Sequence, residues 1–574
     1  MGDIVGIDLG TSTSEIAVFE FGRPVIVRNR TGLAITPSAI FQQPNGELVV
    51  GEEAYKNAGA IREFKRKMDT DEKLRVGNRE LLPLECSALL LRYLLFSYQE
   101  YRQRDADRAV ITVPANWKDA PRRATKEAGK LAGVKVERLI NEPTAAAMAF
   151  GSRPDAEGKT IAVYDLGGGT FDVTILHIQN RIFDVVTSVG DDRLGGSDID
   201  AILVSHVIRQ IETTEGYAHI LGQNPQADHV LKLACEQAKK ELSATDETAV
   251  RVPFWNPSGD PGRMVQVHVP ITRDKFEDLI QGVVQRSLNH LDEALRRAKL
   301  PSEGIDEIVM VGGSTRIPLV RRLVAERMKK EPNTSDVNPD EAVALGAAIQ
   351  AGIFDQKVMS EKKFIPLDIA NNDLGVETMT FVNGQPIYGV FSTIIPKDTK
   401  LPARKTESYS TTSDGQCSIV VNCYQGKSKW TRQNQLIGEP LTVEDLPPKP
   451  RGEVKISITF GLDASEMLDV RVDVDDTGIA VERQFQIDGV RYSDDQHTQR
   501  RAELDSLWQR SELAAKHRKL IEQAEARLQT PITGATAESL RTNLDALKQA
   551  LVDDDAAAAE RADVALSGIL SDLD

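Results

Sequence analysis

The sequence predicts a multidomain protein with an α/β part, an all-β part and a helical end, on the evidence of three changes of pattern. From residue 1 to about 355, short β-branched runs alternate with helical patterns, which is typical of sheets covered by helices. From about 373 to 490 the pattern is that of alternating strands, with turn signals at Asn383-Gly384 and Asp414-Gly415. After about residue 491, leucines recur at helical spacing. We therefore expect an α/β unit, a β-sandwich and a small helical bundle.

Length and charge limit the functions that the chain can have. At 574 residues it should hold about three to four folding units. Its 70 basic and 86 acidic residues give a net charge of −16, which argues against a sequence-independent grip on nucleic acid. The N-terminus lacks the basic and apolar regions of a secretion signal, and no run of about 18 apolar residues predicts a membrane span. We expect a protein that stays in the cytoplasm.

Two similar turns follow β-branched runs. The first reads Asp8-Leu9-Gly10-Thr11, and the second, about 157 residues later, reads Asp165-Leu166-Gly167-Gly168-Gly169-Thr170. Backbone N–H groups and hydroxyls in such turns can wrap a phosphate chain, and glycine lets the backbone approach an anion closely. Either turn alone is more often an ordinary hairpin. The repetition predicts two related halves that face one ligand.

A carboxylate and a third glycine turn complete this pattern. In Asn141-Glu142-Pro143, a strand end carries Glu142 into a helix. Together with Asp8 and Asp165, Glu142 would offer oxygen ligands to Mg²⁺, usually through retained waters. The alternative is that Glu142 is a first-turn acid favoured by the helix dipole. The run Gly312-Gly313-Ser314-Thr315-Arg316 is another turn of this kind, suited to a base or a ribose.

These four motifs, in this order, resemble the seventy-kilodalton heat-shock protein family, the DnaK-type molecular chaperones. The resemblance runs from residue 2 to about 480 and is looser beyond that. It implies an actin-like (ribonuclease H-like) two-lobed ATPase domain over 1–355 and an interdomain linker over 356–372. It also implies a β-sandwich substrate-binding domain over 373–490 and a helical lid over 491–574, with ATP or ADP and Mg²⁺ in the cleft. The chain lacks a Glu-Glu-Val-Asp end, which favours a specialised bacterial member.

The resemblance also implies roles for individual residues. Lys65 would contact the phosphates and help to position the attacking water, although Lys67 is only two residues away. Asp172 would lie near that water, and the predicted catalytic set comprises Lys65, Glu142, Asp165, Thr170, Asp172 and Asp8. The phosphates would be held by Gly10, Thr11, Ser12 and Thr13 from one side and by Gly167, Gly168, Gly169 and Thr170 from the other. The adenosine contacts would be Glu236, Lys239, Ser243, Gly312, Gly313, Ser314, Arg316 and Asp340. From the residues alone, the stretch around Glu236 would be a solvated helix face.

In the β part, the resemblance implies a channel for an extended apolar segment of an unfolded protein. Its lining would be Val376, Thr378, Met379, Tyr409, Thr412, Ile419, Val421 and Ile456. Main-chain hydrogen bonds with one or two side-chain pockets would accept many sequences. The alternative is that these residues form the core of the sandwich, and for some of them both descriptions can hold.

The expected function is an ATP-driven cycle of peptide binding and release. Residues 364–369 would dock on the ATPase as an added strand, with Asp368 as the acidic residue of this linker, while Pro366 removes an N–H that such a strand could use. Arg138 and Asn141 fall where the family binds a J-domain cochaperone, and a nucleotide exchange factor is a further expected partner. Two alternatives stay open: a passive holdase or exchange-factor relative with little ATP turnover, and another actin-like machine such as a sugar kinase or filament former.

Overall fold

The computed structural model describes residues 2–43, 47–77, 79–215, 224–256, 265–334, 338–358, 364–382, 385–484, 494–528, 534–552, 555–571 and 573. Up to residue 358 the strands are β1 (Asp3–Leu9), β2 (Thr13–Glu20), β3 (Arg23–Val27), β4 (Thr36–Pro37), β5 (Ala39–Gln42), β6 (Leu48–Val50), β7 (Ile61–Arg62), β8 (Leu74–Val76), β9 (Arg79–Leu81), β10 (Ala106–Val113), β11 (Lys135–Asn141), β12 (Thr160–Leu166), β13 (Phe171–Gln179), β14 (Ile182–Asp191), β15 (Glu247–Trp255), β16 (Val265–Thr272) and β17 (Glu307–Val311). The helices of this part are α1 (Glu52–Tyr55), α2 (Pro83–Arg102), α3 (Asp119–Ala132), α4 (Glu142–Gly151), α5 (Gly196–Glu215), α6 (Pro225–Leu242), α7 (Arg273–Ala298), α8 (Pro318–Met328) and α9 (Ala342–Phe354).

Beyond residue 364, strands come first and helices follow. The strands are β18 (Ile365–Leu367), β19 (Leu374–Val382), β20 (Gln385–Ile395), β21 (Ala403–Ser410), β22 (Ile419–Val421), β23 (Cys423–Gln425), β24 (Gln435–Leu436), β25 (Leu441–Val443), β26 (Lys455–Leu462), β27 (Leu468–Val474) and β28 (Ile479–Gln484). The helices are α10 (Asp494–Leu528), α11 (Gly534–Val552) and α12 (Ala556–Ser571). The mixed α/β, all-β and helical parts therefore follow each other in the predicted order.

Two sheets in the α/β part are built alike. The first has the order β11-β10-β1-β2-β3 and the second the order β17-β12-β13-β14-β18. In the first sheet β1 pairs antiparallel with β2 and parallel with β10. In the second sheet β12 pairs antiparallel with β13 and parallel with β17. The two Asp-Leu-Gly turns consequently occupy equivalent positions, between the first two strands of each unit, as the repeated motif predicts.

The all-β part has alternating burial. Along β27, every second residue from Leu468 to Val474 is buried, which is the period of a strand with one face in a core. The sheets have the orders β20-β19-β23-β24 and β21-β26-β27-β28, and β22 pairs with β25. A shared apolar core that includes Leu374, Ile395 and Phe460 fills the space between them. The predicted domain limit at 490 falls in 485–493, outside the described residues, and the division into domains stays a prediction.

The linker strand β18 pairs parallel with β14, at the edge of the second sheet as described. The Ile365 N–H donates to the Arg181 carbonyl oxygen at 3.0 Å, so Ile365 points its N–H toward β14. Successive residues of a strand point their N–H groups in opposite directions, so the nitrogen of Pro366 faces away from β14. The proline therefore costs this pairing no hydrogen bond, as expected of proline in an edge strand.

The helical end divides into two parts. Leu504 and Leu507 of α10 are buried in the apolar core of the first sheet, beside α2 and α3, and the Trp508 ring lies 6.2 Å from that of Phe96. The expectation that all the spaced leucines form one bundle was therefore wrong for these residues. The apolar face of a helix predicts that it is covered, but not by which neighbour. Later residues of α10, Ile521 among them, pack with α11 and α12. In the described part of the chain, no helix has the length and apolar character needed to cross a membrane.

Candidate functional site

The two Asp-Leu-Gly turns lie face to face. A Cβ on Gly168 would collide with the side chain of Ser12, and one on Gly169 would lie 2.8 Å from Thr11 Cγ2. Only glycine permits this approach. The second turn is held from behind, because the Ser197 N–H donates to the Gly168 oxygen at 2.7 Å and the Ser314 hydroxyl to the Gly167 oxygen at 3.0 Å. The sequence motif thus predicted a real juxtaposition of the two turns.

Three acids lie together at the floor between the turns. Glu142 and Asp165 are buried, and Asp8 accepts a hydrogen bond from the Thr112 hydroxyl at 2.7 Å. Burial, with the nearby charge of Glu142, raises the pKa of Asp8 to about 6. Burial and the charges of Glu142 and Asp8 raise the pKa of Asp165 well above its usual value. A divalent cation would relieve this repulsion, and carboxylate oxygens are the donors that Mg²⁺ prefers.

The spacing of these acids bears on how a cation would be held. Among the described residues, no group of three or more His, Cys, Asp or Glu side chains is placed to hold a metal ion directly. Mg²⁺ usually keeps several waters and reaches protein carboxylates through them. The assignment of these three acids to Mg²⁺ held through waters stays a prediction.

Lys65 points into this cleft, whereas Lys67 does not. Lys65 is 3% exposed, and its Nζ lies 2.6 Å from Glu142 Oε1 and 5.1 Å from the centre of the Trp117 ring. The Nζ of Lys67 lies at the surface, 2.5 Å from Glu72 Oε1. Both lysines belong to a short 3-10 turn, Phe64–Lys67, whose tight winding sends neighbouring side chains in different directions. The geometry thus brings Lys65 rather than Lys67 to the acids.

Asp172 lies beside the same acids with one oxygen unpaired. Its side chain is 2% exposed, and its Oδ1 has no hydrogen-bond partner among the described residues. Burial, then the charges of Glu142 and Asp165, raises its pKa well above the usual value. A buried acceptor without a protein donor calls for a water or a ligand hydroxyl.

Thr170 has a structural part in the second turn. Its carbonyl oxygen accepts a hydrogen bond from the Gly167 N–H at 3.1 Å, which closes the turn.

A cavity of about 600 Å³ opens beside the turns. Eleven of the predicted residues line it: Thr11, Ser12, Thr13, Gly168, Glu236, Lys239, Ser243, Gly313, Ser314, Arg316 and Asp340. The others are not part of its lining: Asp8, Gly10, Lys65, Glu142, Asp165, Gly167, Gly169, Thr170, Asp172 and Gly312. We call this space the nucleotide cavity, after the ligand that the resemblance implies for it.

Several cavity residues hold one another in place. The Arg316 guanidinium donates from Nε and Nη2 to Asp340 Oδ2, at 3.2 and 2.7 Å. Lys239 Nζ lies 2.8 Å from Asp200 Oδ1, and the Ser243 hydroxyl donates to the Lys239 carbonyl at 3.2 Å. Because these groups are already positioned, a ligand would meet a preformed wall and would not have to order it.

Sequence reasoning missed the contacts that bridge the mouth of the cavity. The Tyr55 hydroxyl, at the end of α1, donates to Glu236 on α6. The Arg62 guanidinium lies 2.7 and 3.0 Å from the two ring nitrogens of His229. Burial, with the charge of Arg62, lowers the pKa of His229 to about 4, so the ring is neutral at pH 7. These residue types are ordinary on a surface, and no spacing links positions so far apart in the chain.

A second cavity, of about 690 Å³, lies in the all-β part, and we call it the peptide cavity, after the ligand that the resemblance implies for it. Its lining includes all eight of the predicted channel residues: Val376, Thr378, Met379, Tyr409, Thr412, Ile419, Val421 and Ile456. Val376, Val421 and Ile456 are also buried in the sandwich core, so for them both of the predicted descriptions hold. The Tyr409 hydroxyl lies 3.0 Å from that of Ser392.

Polar contacts join the sandwich and the linker to the α/β part. Asp368 accepts a hydrogen bond from the Thr144 hydroxyl at 2.6 Å and lies 3.5 Å from Arg138 Nη2. On the sandwich, Glu466 Oε1 lies 2.7 Å from Arg122 Nη2, and burial raises the pKa of Glu466 despite the opposing charge of Arg122. Asn141 contacts both members of this ion pair. Arg138 and Asn141 are 9% and 4% exposed, so the predicted J-domain contact is covered in this conformation.

The first helix of the lid region lies on the α/β part and away from the peptide cavity. Arg500 Nε lies 2.7 Å from the buried Glu85, and Arg518 pairs with Glu47 and with Glu53. None of the residues described in α10, α11 or α12 lines the peptide cavity. In this conformation the linker is docked, and the described part of the three helices contributes no residue to the cavity.

Comparison with known protein families identifies the class to which this fold and these cavities belong. The chain matches the family model described as Hsp70 protein over residues 4–71 and 63–572. The match spans nearly the whole chain, so the chain belongs to the Hsp70 family. Members of this family are chaperones that bind ATP or ADP with Mg²⁺, hydrolyse ATP and bind unfolded peptides.

Proposed function

We propose that this chain is an ATP-dependent molecular chaperone. It binds exposed apolar segments of unfolded proteins in the peptide cavity and releases them in a cycle of ATP hydrolysis in the nucleotide cavity. The observation that carries the proposal is the docked strand β18. It pairs with β14, which continues the sheet of the second Asp-Leu-Gly turn, and the chain then runs from β18 into β19 of the peptide cavity.

The chemistry of hydrolysis follows from the groups at the floor of the cleft. Mg²⁺, when bound with the nucleotide, neutralises charge on the β- and γ-phosphates. Asp8, Glu142 and Asp165 would hold its waters. Lys65, fixed by its ion pair with Glu142, would donate to the γ-phosphate as negative charge develops there. The unpaired oxygen of Asp172 is available to orient the attacking water.

Coupling between the cavities would be a shift between two conformations. With the linker docked and the helices on the α/β part, as here, the peptide cavity is accessible and exchange is fast. After hydrolysis the linker would leave β14 and the helices would cover the cavity. ATP drives this change only as far as it binds the two states with different affinity.

Partners are part of the same proposal. A J-domain cochaperone would stimulate hydrolysis from the surface around Arg138 and Asn141, and an exchange factor would act on the bridged mouth of the nucleotide cavity. Both proposals are tested by adding the purified partner to a single-turnover hydrolysis assay and a nucleotide-release assay with the full chain.

Release of a bound peptide is the sharpest test of the main proposal. The full chain is loaded with a fluorescent apolar peptide in ADP and mixed rapidly with ATP, ADP or buffer. We expect ATP to accelerate dissociation by at least about tenfold, since a coupling of 1.4 kcal/mol already gives that factor. Peptide binding without acceleration by ATP would contradict the coupled cycle, and absence of peptide binding would contradict the chaperone function itself.

A further inference from the structure

A second buried oxygen without a partner lies beside Asp172. Asn116 belongs to the loop that joins β10 to α3, and its Oδ1 is buried without a hydrogen-bond partner in the part of the chain that the structure describes. The Oδ1 of Asp172 is in the same situation. A buried polar oxygen without a donor calls for a water or a ligand. The proposed cycle uses the oxygen of Asp172 but gives the oxygen of Asn116 no part.

The surroundings of Gly190 show that the two side chains are neighbours. Asp172 pairs with Gly190 across β13 and β14. A Cβ on Gly190 would lie 2.1 Å from Asp172 Oδ1 and 3.0 Å from Asn116 Nδ2. The carboxylate and the amide group thus approach one point of the cleft, which a side chain at residue 190 would fill.

The neighbours of Asn116 in the loop contact both groups assigned to the reaction. The ring of Trp117, the next residue, has its centre 5.1 Å from Lys65 Nζ. A backbone hydrogen bond from Ala115, the preceding residue, partly offsets the raised pKa of Asp172. Asn116 therefore stands between residues that touch Lys65 and Asp172, the groups to which the proposed function assigns the γ-phosphate and the attacking water.

The loop backbone is fixed, so Asn116 has little freedom to move. The Trp117 N–H donates to the Pro114 carbonyl oxygen at 3.2 Å. The guanidinium of Arg122, which is 1% exposed, donates to the carbonyl oxygens of Ala115 and Trp117 at 3.3 and 3.2 Å. Both residues that flank Asn116 are thus held in place. A polar group that is positioned in advance loses less entropy when it binds a water.

We propose that Asn116 is a catalytic residue for ATP hydrolysis, which holds the attacking water together with Asp172. The inference rests on the proposed function, because it takes ATP as the substrate of this cleft. One O–H of the water donates to Asp172 Oδ1 and the other to Asn116 Oδ1. With both hydrogens engaged, a lone pair of the water oxygen is left to point at the γ-phosphorus.

The two acceptors have different parts in the reaction. The water oxygen forms a bond to the γ-phosphorus, and the bond from that phosphorus to the oxygen that bridges to the β-phosphate breaks, so that its electron pair leaves on ADP. The proton that points at Asp172 passes to the carboxylate, which acts as the base. The proton that points at Asn116 stays on the water oxygen and leaves with the phosphate, because an amide oxygen accepts a hydrogen bond but is too weak a base to take the proton.

Single-turnover hydrolysis by the full chain, with ATP affinity measured separately, tests this assignment. Asn116→Ala should lower the rate by about 5- to 30-fold, the loss expected when one hydrogen bond to the reacting water is removed. Its affinity for a non-hydrolysable ATP analogue with Mg²⁺ should stay within about twofold of the wild type, because Asn116 does not line the nucleotide cavity. Lys118→Ala removes an exposed charge from the same loop. It is the matched control and should hydrolyse ATP at the wild-type rate.

A double-mutant cycle shows whether the two acceptors share one water. Asp172→Asn should lower the rate by about 100-fold, since it removes the base. Adding Asn116→Ala to Asp172→Asn should lower the rate by less than about threefold further, because the water has already lost its alignment. Substitutions that acted independently would instead multiply their separate effects.

Four results would overturn the inference. The first three are an unchanged rate in Asn116→Ala, a fall in its ATP affinity as large as the fall in rate, and effects that multiply in the double variant. The fourth is an equal loss in Lys118→Ala, which would assign the effect to the loop as a whole. Absence of hydrolysis by the wild type would instead overturn the proposed function, and this failure is distinct because it appears without any substitution.

Discussion

The nucleotide cavity and the peptide cavity have similar volumes but are built in opposite ways. Residues from Thr11 to Asp340, brought together from many elements, line the first, and its lining includes charged groups held in ion pairs, Lys239 with Asp200 and Arg316 with Asp340. The second is lined by residues from Val376 to Ile458, mostly apolar or uncharged, on neighbouring strands. The first therefore fixes a ligand by charge and direction, whereas the second accepts one by shape and burial.

This difference predicts how each cavity responds to substitution. Where a single hydrogen-bond donor stabilises charge that develops in a buried site, neighbouring residues cannot replace that donor when it is removed. Where binding is spread over several apolar contacts and main-chain hydrogen bonds, one substitution removes only a share of it. Effects should therefore be large at the acids and Lys65 between the two turns, beside the first cavity, intermediate at the contacts that join the sandwich and linker to the α/β part, and small in the second cavity.

The largest effect is expected at Lys65. Lys65→Ala removes the donor nearest the acids and leaves Glu142 without its ion-pair partner. We expect single-turnover ATP hydrolysis to fall by about 100- to 1,000-fold, the usual loss for one positioned donor in a buried site. Lys67→Ala is the control, since its side chain lies at the surface beside Glu72, and it should hydrolyse ATP at nearly the wild-type rate. Equal losses in the two variants would remove the role assigned to Lys65.

The next effect is expected at the ion pair between the sandwich and the α/β part. Glu466→Gln leaves Arg122, which is 1% exposed, as a buried charge without its carboxylate. Breaking such a pair weakens docking by about 3 kcal/mol. ATP should then no longer accelerate peptide release, while hydrolysis continues. Glu444→Gln, at an exposed site on the same sandwich, is the control and should release peptide as the wild type does. If ATP still accelerated peptide release in Glu466→Gln, this ion pair would not be what couples the sandwich to the α/β part.

The linker offers a matched pair of proline substitutions. By the alternation that turns the Pro366 nitrogen away from β14, the N–H of Leu367 points toward it. Leu367→Pro should therefore lose one hydrogen bond of the ladder and weaken docking by about 1–2 kcal/mol. Pro366→Ala should leave it unchanged. ATP-triggered peptide release measures both, and a larger effect of Pro366→Ala would contradict the register of β18.

The contrast between the cavities also explains what could be predicted from sequence. The Asp-Leu-Gly turns were predictable because a Cβ on Gly168 would collide with the side chain of Ser12 in the facing turn, so the approach of the two turns restricts which residue can stand at this position. The hydrogen bond from Tyr55 to Glu236 was not predictable, because no local sequence pattern links a tyrosine and a glutamate that are 181 positions apart. Leu504 shows the same limit, since its spacing predicted a helix face but not the core that the face joins.

Lys397 should make docking of the sandwich on the α/β part depend measurably on pH. Its Nζ donates to the Ser188 oxygen of β14 at 3.1 Å, and burial lowers its pKa to about 8 from 10.5. Lys397 therefore loses its proton at a lower pH when the linker region is docked than when it is undocked. Docking strengthens as the pH rises above about 8, whereas below that pH docking pays the full cost of burying the charged amine. Lys397→Met should favour docking by about 1 kcal/mol at pH 7.

A fluorescence measurement with two dyes that report docking tests this prediction, in a protein whose exposed Cys417 has been replaced by serine. Between pH 7 and 9.5 the docked fraction should rise in the wild type and stay nearly flat in Lys397→Met. The same slope in both proteins would assign the pH dependence to another group.

The smallest effect is expected inside the peptide cavity. Tyr409→Phe removes the hydroxyl that lies 3.0 Å from that of Ser392 but keeps the ring against the cavity. A net hydrogen bond is worth about 1 kcal/mol, and water reaches this half-buried site, so peptide affinity should change by less than about fivefold. ATP hydrolysis should not change. Equilibrium anisotropy with a single apolar peptide measures the difference. A loss as large as that of Lys65→Ala in hydrolysis would mean that the peptide cavity, too, depends on one positioned polar group, and the contrast between the two cavities would fail.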